Sequence, residues 1–557
     1  MRAHANFRSG HTKLAVSLVC ATLTVSAFGP AHPRAKPVPT EITEKYGSVH
    51  FQISCTPAAQ AQFDLAVAML HSFFYPETIK AFTTVAEIDP TCAMAYWGIG
   101  MSQRPNPLVP PFSAEALKQG YDAVEKGKSL GPKTQREADW LDALELFFKD
   151  SEKLDQETRG KLYADTMERL YRKYPEDTEA SVFYALSLLE TAKPSDTTYS
   201  NQLMAAAILE KVEAQQPNHP GVTHYLIHAY DYQPLAARGL AAADRYANLA
   251  PSAPHALHMP SHTYSMLGMW EESIKTNQVA LAAANAYAAK YYPGATNPAA
   301  LHSFDFMEYA YLQLGQDTKA KAIVDQAAAV KKVQFPGLSA DNALAAVPAR
   351  YALERAAWAE AAALEPRPGA SAYAEAITFF VRAMGAMNTG NLDRAGQDVA
   401  RIEALHASYK AKPDQKYWES QTLVMLQAAS AWLNLRQGDK AKALERMRAD
   451  ADLDDSIEKS VAMENRLVPM RELLGYMLLE TGQPKQALTE FQASLKAKPN
   501  RFRGYYGAAK ASEAAGDHAA ARDWYQRLVM LAESAATERV EVAEAKAFLS
   551  TSEAKKD

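Results

Sequence analysis

Gly482-Gln483-Pro484-Lys485-Gln486-Ala487-Leu488-Thr489-Glu490-Phe491 and Gly516-Asp517-His518-Ala519-Ala520-Ala521-Arg522-Asp523-Trp524-Tyr525 decide how this chain is read. A glycine, an alanine and an aromatic recur in the same order, each 34 residues later, and Pro499 closes the first stretch. Glycine permits a tight turn, a small side chain lets two helices approach closely, and proline cannot continue a helix. A fixed period of this length is the mark of a stacked array. Stacking also answers the length: 557 residues exceed what one core supports, but each unit of an array packs only on its neighbours.

The constellation resembles the tetratricopeptide repeat, with glycine at the turn between helices A and B, alanine where they touch, an aromatic on helix B and a terminal proline. The resemblance implies an all-α fold, a superhelical solenoid of antiparallel helix pairs. Carried back along the chain, the frame predicts units at 59–92, 220–253, 254–287, 301–334, 376–409, 424–457, 468–501 and 502–535. Hairpins at 134–175, 179–217 and 341–365 keep apolar residues at helical spacing, and 104–113, 191–201 and 288–300 read as loops or insertions. The expected divisions are a signal peptide (1–27), a leader (28–58), a histidine-rich solenoid (59–334), degenerate hairpins (335–467) and a C-terminal pair with its tail (468–557).

Arg2, Arg8 and Lys13 precede the apolar run Leu14 to Phe28, and Val25-Ser26-Ala27 offers small side chains for cleavage after Ala27. Cleavage there removes three basic residues and no acids, taking the net charge from −5 to −8. The mature protein is expected outside the cytoplasm, periplasmic or secreted, with no other run near the ~20 apolar residues of a membrane span. No basic stripe exists, which disfavours nucleic acid as a partner. In an oxidising compartment the two remaining cysteines, Cys55 and Cys92, can pair, since each flanks one end of a helical hairpin. Such a bridge would close a loop of roughly 36 residues and contribute ~3–4 kcal/mol; two buried thiols are the other reading.

Of 14 histidines, six fall between 219 and 262 and a seventh is His302. His224 and His228 are separated by four residues, as are His258 and His262, so each pair shares a helix face about 6 Å apart. The pairs are also 34 residues apart, at the fifth and ninth positions of consecutive units. The repeat resemblance implies that positions 2, 5, 9 and 12 of helix A line the concave groove where peptides are held. Those positions are Gly221, His224, His228 and Asp231; His255, His258, His262 and Ser265; and His302, Asp305, Tyr309 and Leu312. Imidazoles beside carboxylates suit Zn²⁺, Fe²⁺, Mn²⁺ or Cu²⁺, with His224, His228, His258 and His262 as the core ligands converging on one point. A metal-free polar groove and a purely structural role are the competing readings, and Pro260 threatens the common face by interrupting the helix.

No His-Glu-x-x-His, Gly-x-Ser-x-Gly or phosphate-cradling glycine loop occurs. If a metal binds with an open position, Tyr230, Tyr264, Tyr309 and Glu308 are the acid–base candidates. Val49-His50-Phe51 with Ser54-Cys55, Leu70-His71-Ser72-Phe73-Phe74-Tyr75, Asp89-Pro90-Thr91-Cys92-Ala93-Met94-Ala95-Tyr96-Trp97-Gly98 and the two histidine segments resemble a family of exported bacterial tetratricopeptide proteins. That resemblance covers about residues 49–315 and implies a fold and a location, but no established reaction. Where relatives carry an Asn-His-Pro-like segment, Arg104-Pro105-Asn106-Pro107 stands here. The first functional expectation is a scaffold holding a peptide or partner protein in its groove; the alternative is a metalloprotein, with enzymatic activity left open.

Overall fold

Gly482 and Gly516 sit at φ +77° and +82°, in the left-handed region that ends helices, and the helices on either side run antiparallel. Ala487 and Ala521 are fully buried at the helix contacts. Phe491 lies so close to the next unit that a Cβ on Gly507 would stand 2.2 Å from its ring. These are the roles the repeat resemblance assigns, and the chain is a helical-repeat solenoid. A computed structural model describes residues 45–553 apart from 411, 413, 414, 459, 461–465, 536 and 538. The expected signal peptide, its cleavage site and residues 28–44 lie outside the described residues.

Helix pairs follow one another from Pro57–His71 with Tyr75–Ile88 to Phe502–Ala514 with His518–Leu531, and Val540–Glu553 packs on the last pair. Among the described residues no strand forms; Thr296 and Val333 make an isolated bridge. No helix among them is long and apolar enough to cross a membrane. The described residues form one compact unit.

Two details depart from the sequence reading, and the interruption expected at Pro260 is present. The segment expected as a leader up to residue 58 is packed from Tyr46 onward. Phe51 is fully buried against Phe63, Trp97 and Trp140, and Ser48 donates its N–H to the Asn218 carbonyl. The insertion expected at 288–300 begins later, because the alanine-rich run carries helix Trp270–Tyr291 past residue 288. Helix A of the unit at 254–287 is divided into Pro254–His258 and Pro260–Met266, as a proline without an N–H requires. The sulfurs of Cys55 and Cys92 lie 2.09 Å apart, as a disulfide.

The C-terminal repeats return to the middle of the chain. Trp270 donates its indole N–H to the Asn500 carbonyl at 2.8 Å, and Asn500 donates to the Gly268 carbonyl at 3.1 Å. Arg501 is fully buried between Glu354 at 2.6 Å and Glu472 at 2.5 Å, and also meets the Tyr309 hydroxyl. This closure brackets the histidine-bearing helices from the C-terminal side.

Candidate metal centre

Helix Pro220–Ala229 begins at His219, whose ring accepts the Val222 N–H at 3.3 Å, with Pro220 in the first turn, where its missing N–H costs nothing. This start sets the rotation of the helix and turns His224 and His228 to one side, their Nε2 atoms 3.1 Å apart. His255, from the first turn of the next unit, brings its own Nε2 to 3.1 Å from that of His224. In the same unit, His258 Nε2 stands 3.0 Å from Nε2 of His262, four residues further on, despite the break at Pro260. Met259 keeps helical dihedrals (φ −52°, ψ −36°), so the proline removes a hydrogen bond without turning the face. His302, from helix Pro298–Gln313, completes this group with its ring centroid 4.4 Å from that of His258.

The single four-histidine point expected from the sequence is therefore two points. His224, His228 and His255 form one triad and His258, His262 and His302 another, the ligand atoms within each lying within 4.8 Å of one another. The triads abut: His228 and His262 have centroids 5.9 Å apart, and His255 and His258 6.2 Å.

Three of the outer nitrogens, those of His224, His258 and His262, face acceptors. His224 Nδ1 lies 2.6 Å from the His71 carbonyl, which can only accept, so Nδ1 carries the proton and Nε2 faces the triad as a bare lone pair. Asn277 donates its amide to the Ser273 carbonyl at 2.8 Å, which leaves its oxygen to accept from His258 Nδ1 at 2.6 Å. The Asp231 carboxylate lies 2.8 Å from His262 Nδ1. A carbonyl, an amide oxygen and a carboxylate on the far nitrogen are the partners that orient metal-binding histidines. Burial first, then the neighbouring imidazoles, holds the His224 and His255 pKa values well below the usual histidine range, which keeps both rings neutral.

Phenylalanines wall both triads. Phe73 meets His224 edge-on at 4.5 Å and stacks on His255 at 5.5 Å. It does so at φ +53°, a strained conformation for so bulky a residue. Phe306 contacts His258, His262 and His302 at centroid distances of 4.7–5.1 Å.

The groove reading fails at these residues. His224, His228, Asp231, His258, His262, Asp305 and Tyr309 are all 3% exposed or less; Phe73 and Phe306 pack on the histidines, Arg350 on Asp305 and Arg501 on Tyr309. Asp305 and Tyr309 join neither triad. Asp305 pairs with buried Arg350 at 2.9 Å, and Tyr309 bonds Arg501. The proposed acid–base residues also turn elsewhere: Tyr230 to Glu210, Tyr264 to Asp244 and Glu308 to Arg350. Arg104, from the segment expected as a loop, pairs in the core with Glu190.

A third cluster has a structural explanation. Glu179 spans His71 and His219, each Nε2 at 2.8 Å, while His71 Nδ1 meets the Tyr225 hydroxyl at 2.9 Å. Every ring nitrogen here has a partner. Burial alone would raise the Glu179 pKa, but the two imidazoles hold it below the usual carboxylate range. The cluster anchors the His71 backbone, whose carbonyl sets His224.

Sequence reasoning left His255 and His302 out of its ligand set, although their signal was in the repeat frame: both are second positions, one unit after the pair they complete. Asn277 and the His71 carbonyl carried no such signal.

No protein-family model and no curated protein sequence matches the chain. Among solved structures, it is similar to one titled for Naa15/Naa10 bound to HypK-THB, at 15% identity and TM-score 0.20, over 85% of this chain and 70% of that one. It is also similar to the human IFIT1 dimer with m7Gppp-AAAA, at 12% identity and TM-score 0.36, over 79% and 90% of the two chains. A human IFIT1 dimer with PPP-AAAA aligns at 11% identity and TM-score 0.37, over 86% and 92%. These likenesses carry no function across to this chain.

Proposed function

We propose that this chain is an exported transition-metal-binding protein whose two neighbouring three-histidine sites each hold one ion inside a helical-repeat scaffold. The pairing of His258 and His262 carries the reading. Both commit their Nδ1 protons outward, so two Nε2 lone pairs face each other at 3.0 Å in a buried site. Such an approach needs positive charge between the rings, either a proton on His262 backed by Asp231 or a metal ion, and the third imidazole that meets them, His302, favours the ion. In the other triad the single lone pair of His224 Nε2 faces two further imidazole nitrogens, and it cannot accept a proton from both. An ion held at about 2.0–2.1 Å by tetrahedrally arranged nitrogens spaces them about 3.3 Å apart, close to the separations found here.

The donor set narrows the metal. Six imidazoles with no carboxylate or thiolate in either triad suit copper or zinc, and suit manganese poorly. Three protein ligands leave a coordination position for water or a small ligand, so a bound ion would supply Lewis acidity or, as copper, one-electron exchange. The chain's own contribution is to bring six rings together, fix the tautomers of His224, His258 and His262, and bury five of the six.

Export is supported by the charged flank and apolar run at the N-terminus, and by the Cys55–Cys92 disulfide, which belongs to an oxidising compartment. The mature protein should begin at Phe28; N-terminal sequencing that finds residues 1–27 retained removes this part. For the metal, untagged protein stripped with a chelator should bind two equivalents of Cu²⁺ or Zn²⁺ by titration calorimetry. A His228→Ala/His262→Ala variant should lose high-affinity uptake at both sites. Wild-type protein that takes up neither ion sinks the reading.

A further inference from the structure

Resting on the metal reading above, we propose that the two triads form one dinuclear copper centre, its ions joined by a shared oxygen-donor ligand. The repeat register builds it. Each triad takes the fifth and ninth residues of helix A in one unit and the second residue of helix A in the next: His224 and His228 with His255, then His258 and His262 with His302. Successive units stack in contact, so a rule repeated once places its second product directly beside its first. The ring separations of 5.9 and 6.2 Å between triads are the result.

The next unit ends the series. Its fifth and ninth residues are Asp305 and Tyr309, and Arg350 and Arg501 engage them, placing fixed positive charge where a third ion would need ligands. The array therefore stops at two.

Asp231 ties the pair together. It stands at the twelfth position of the unit that supplies His224 and His228, yet its carboxylate orients His262 of the other triad. A change at one triad is thus passed to the other through the chain just past the end of helix Pro220–Ala229 as well as through neighbouring rings. Copper is favoured over zinc because an all-nitrogen donor set binds divalent ions in an order that peaks at Cu²⁺. With three protein ligands each, two adjacent ions have open positions that one hydroxide can fill together.

Each Cu²⁺ carries one unpaired electron, and two ions sharing a ligand pair those electrons. Chelator-stripped full-length protein would be loaded with two equivalents of Cu²⁺ and measured by electron paramagnetic resonance, then acidified to release and recount the copper. The expected result is two copper ions per chain with most of the signal missing, and its full return on acid release. Loading with one equivalent, or a His302→Ala variant that dismantles one triad, should restore a visible mononuclear signal. Two ions per chain with the full intensity of two isolated spins would overturn the shared centre and leave the two metal sites standing. Zinc uptake without copper uptake would overturn the copper assignment, and protein that retains neither ion would overturn the metal reading itself.

Discussion

Asp231 decides which nitrogen of His262 faces the second triad, and carboxylate partners of this kind govern metal affinity without touching the ion. Asp231→Ala should weaken binding at the second triad by about 10–100-fold, with a smaller effect at the first, as read by titration calorimetry. Unchanged affinity at both would contradict this assignment. Far from the triads, Asp450 is buried, and among the described residues neither carboxylate oxygen has a hydrogen-bond partner. Burial first, then the charge of Asp454, pushes its pKa from 3.8 up to about 9. The folded state therefore keeps a proton that the unfolded chain sheds above its ordinary pKa, so this residue costs stability increasingly from about pH 4 to pH 9. Asp450→Asn should have little effect near pH 4 and stabilise the fold by on the order of 1–3 kcal/mol at pH 8. Urea unfolding at the two pH values checks it, and an equal effect at both would refute it. Single residues of this kind show how far the sequence was legible. The histidines stood out because spacing and repeat period both marked them. Asn277, Arg350 and Arg501 did not, because their partners lie 19–192 residues away along the chain and no local pattern announces them.

Helix Pro220–Ala229 can carry its two ligands only because Gly221 lets it lie against His71. A Cβ at Gly221 would stand 2.4 Å from His71 Nδ1, and the His71 carbonyl is what fixes His224. Gly221→Ala should destabilise the protein by about 1–3 kcal/mol and reduce metal occupancy of the first triad more than the second. Melting and metal analysis of the variant test both halves; a neutral result would mean that the helix is free to shift. The Cys55–Cys92 bridge acts at the same scale by tying both ends of one hairpin. Reduction, or a Cys55→Ser/Cys92→Ser pair, should cost about 3–4 kcal/mol if chain entropy dominates, lowering the melting temperature. An unmoved melting curve would argue against that contribution. Hairpins and their turns were legible because glycine, alanine and proline each act locally. Pro260 shows the limit: the sequence shows that a helix hydrogen bond is lost, but whether the axis turns depends on Met259 and on packing around it.

The whole molecule is held in its closed form by buried charge. Arg501 joins the C-terminal repeats to Glu354, Glu472 and Tyr309. Removing one member of such a buried network strands the others, so Arg501→Met should destabilise by about 3–5 kcal/mol in chemical unfolding. A loss below about 1 kcal/mol would show that these contacts do not fasten the repeats together. The superhelical array followed from a 34-residue period, but its self-contact did not, since period fixes neighbours and not the return of a distant unit. The concave positions read as an open peptide groove are a buried histidine-lined interior because Phe73 and Phe306 pack on the rings. A crystal of the mature protein loaded with copper, measured on both sides of the copper absorption edge, should show two anomalous peaks, one within bonding distance of His224, His228 and His255 and one of His258, His262 and His302. An anomalous map without peaks there, with the six rings hydrogen-bonded only to one another and to water, would contradict the account.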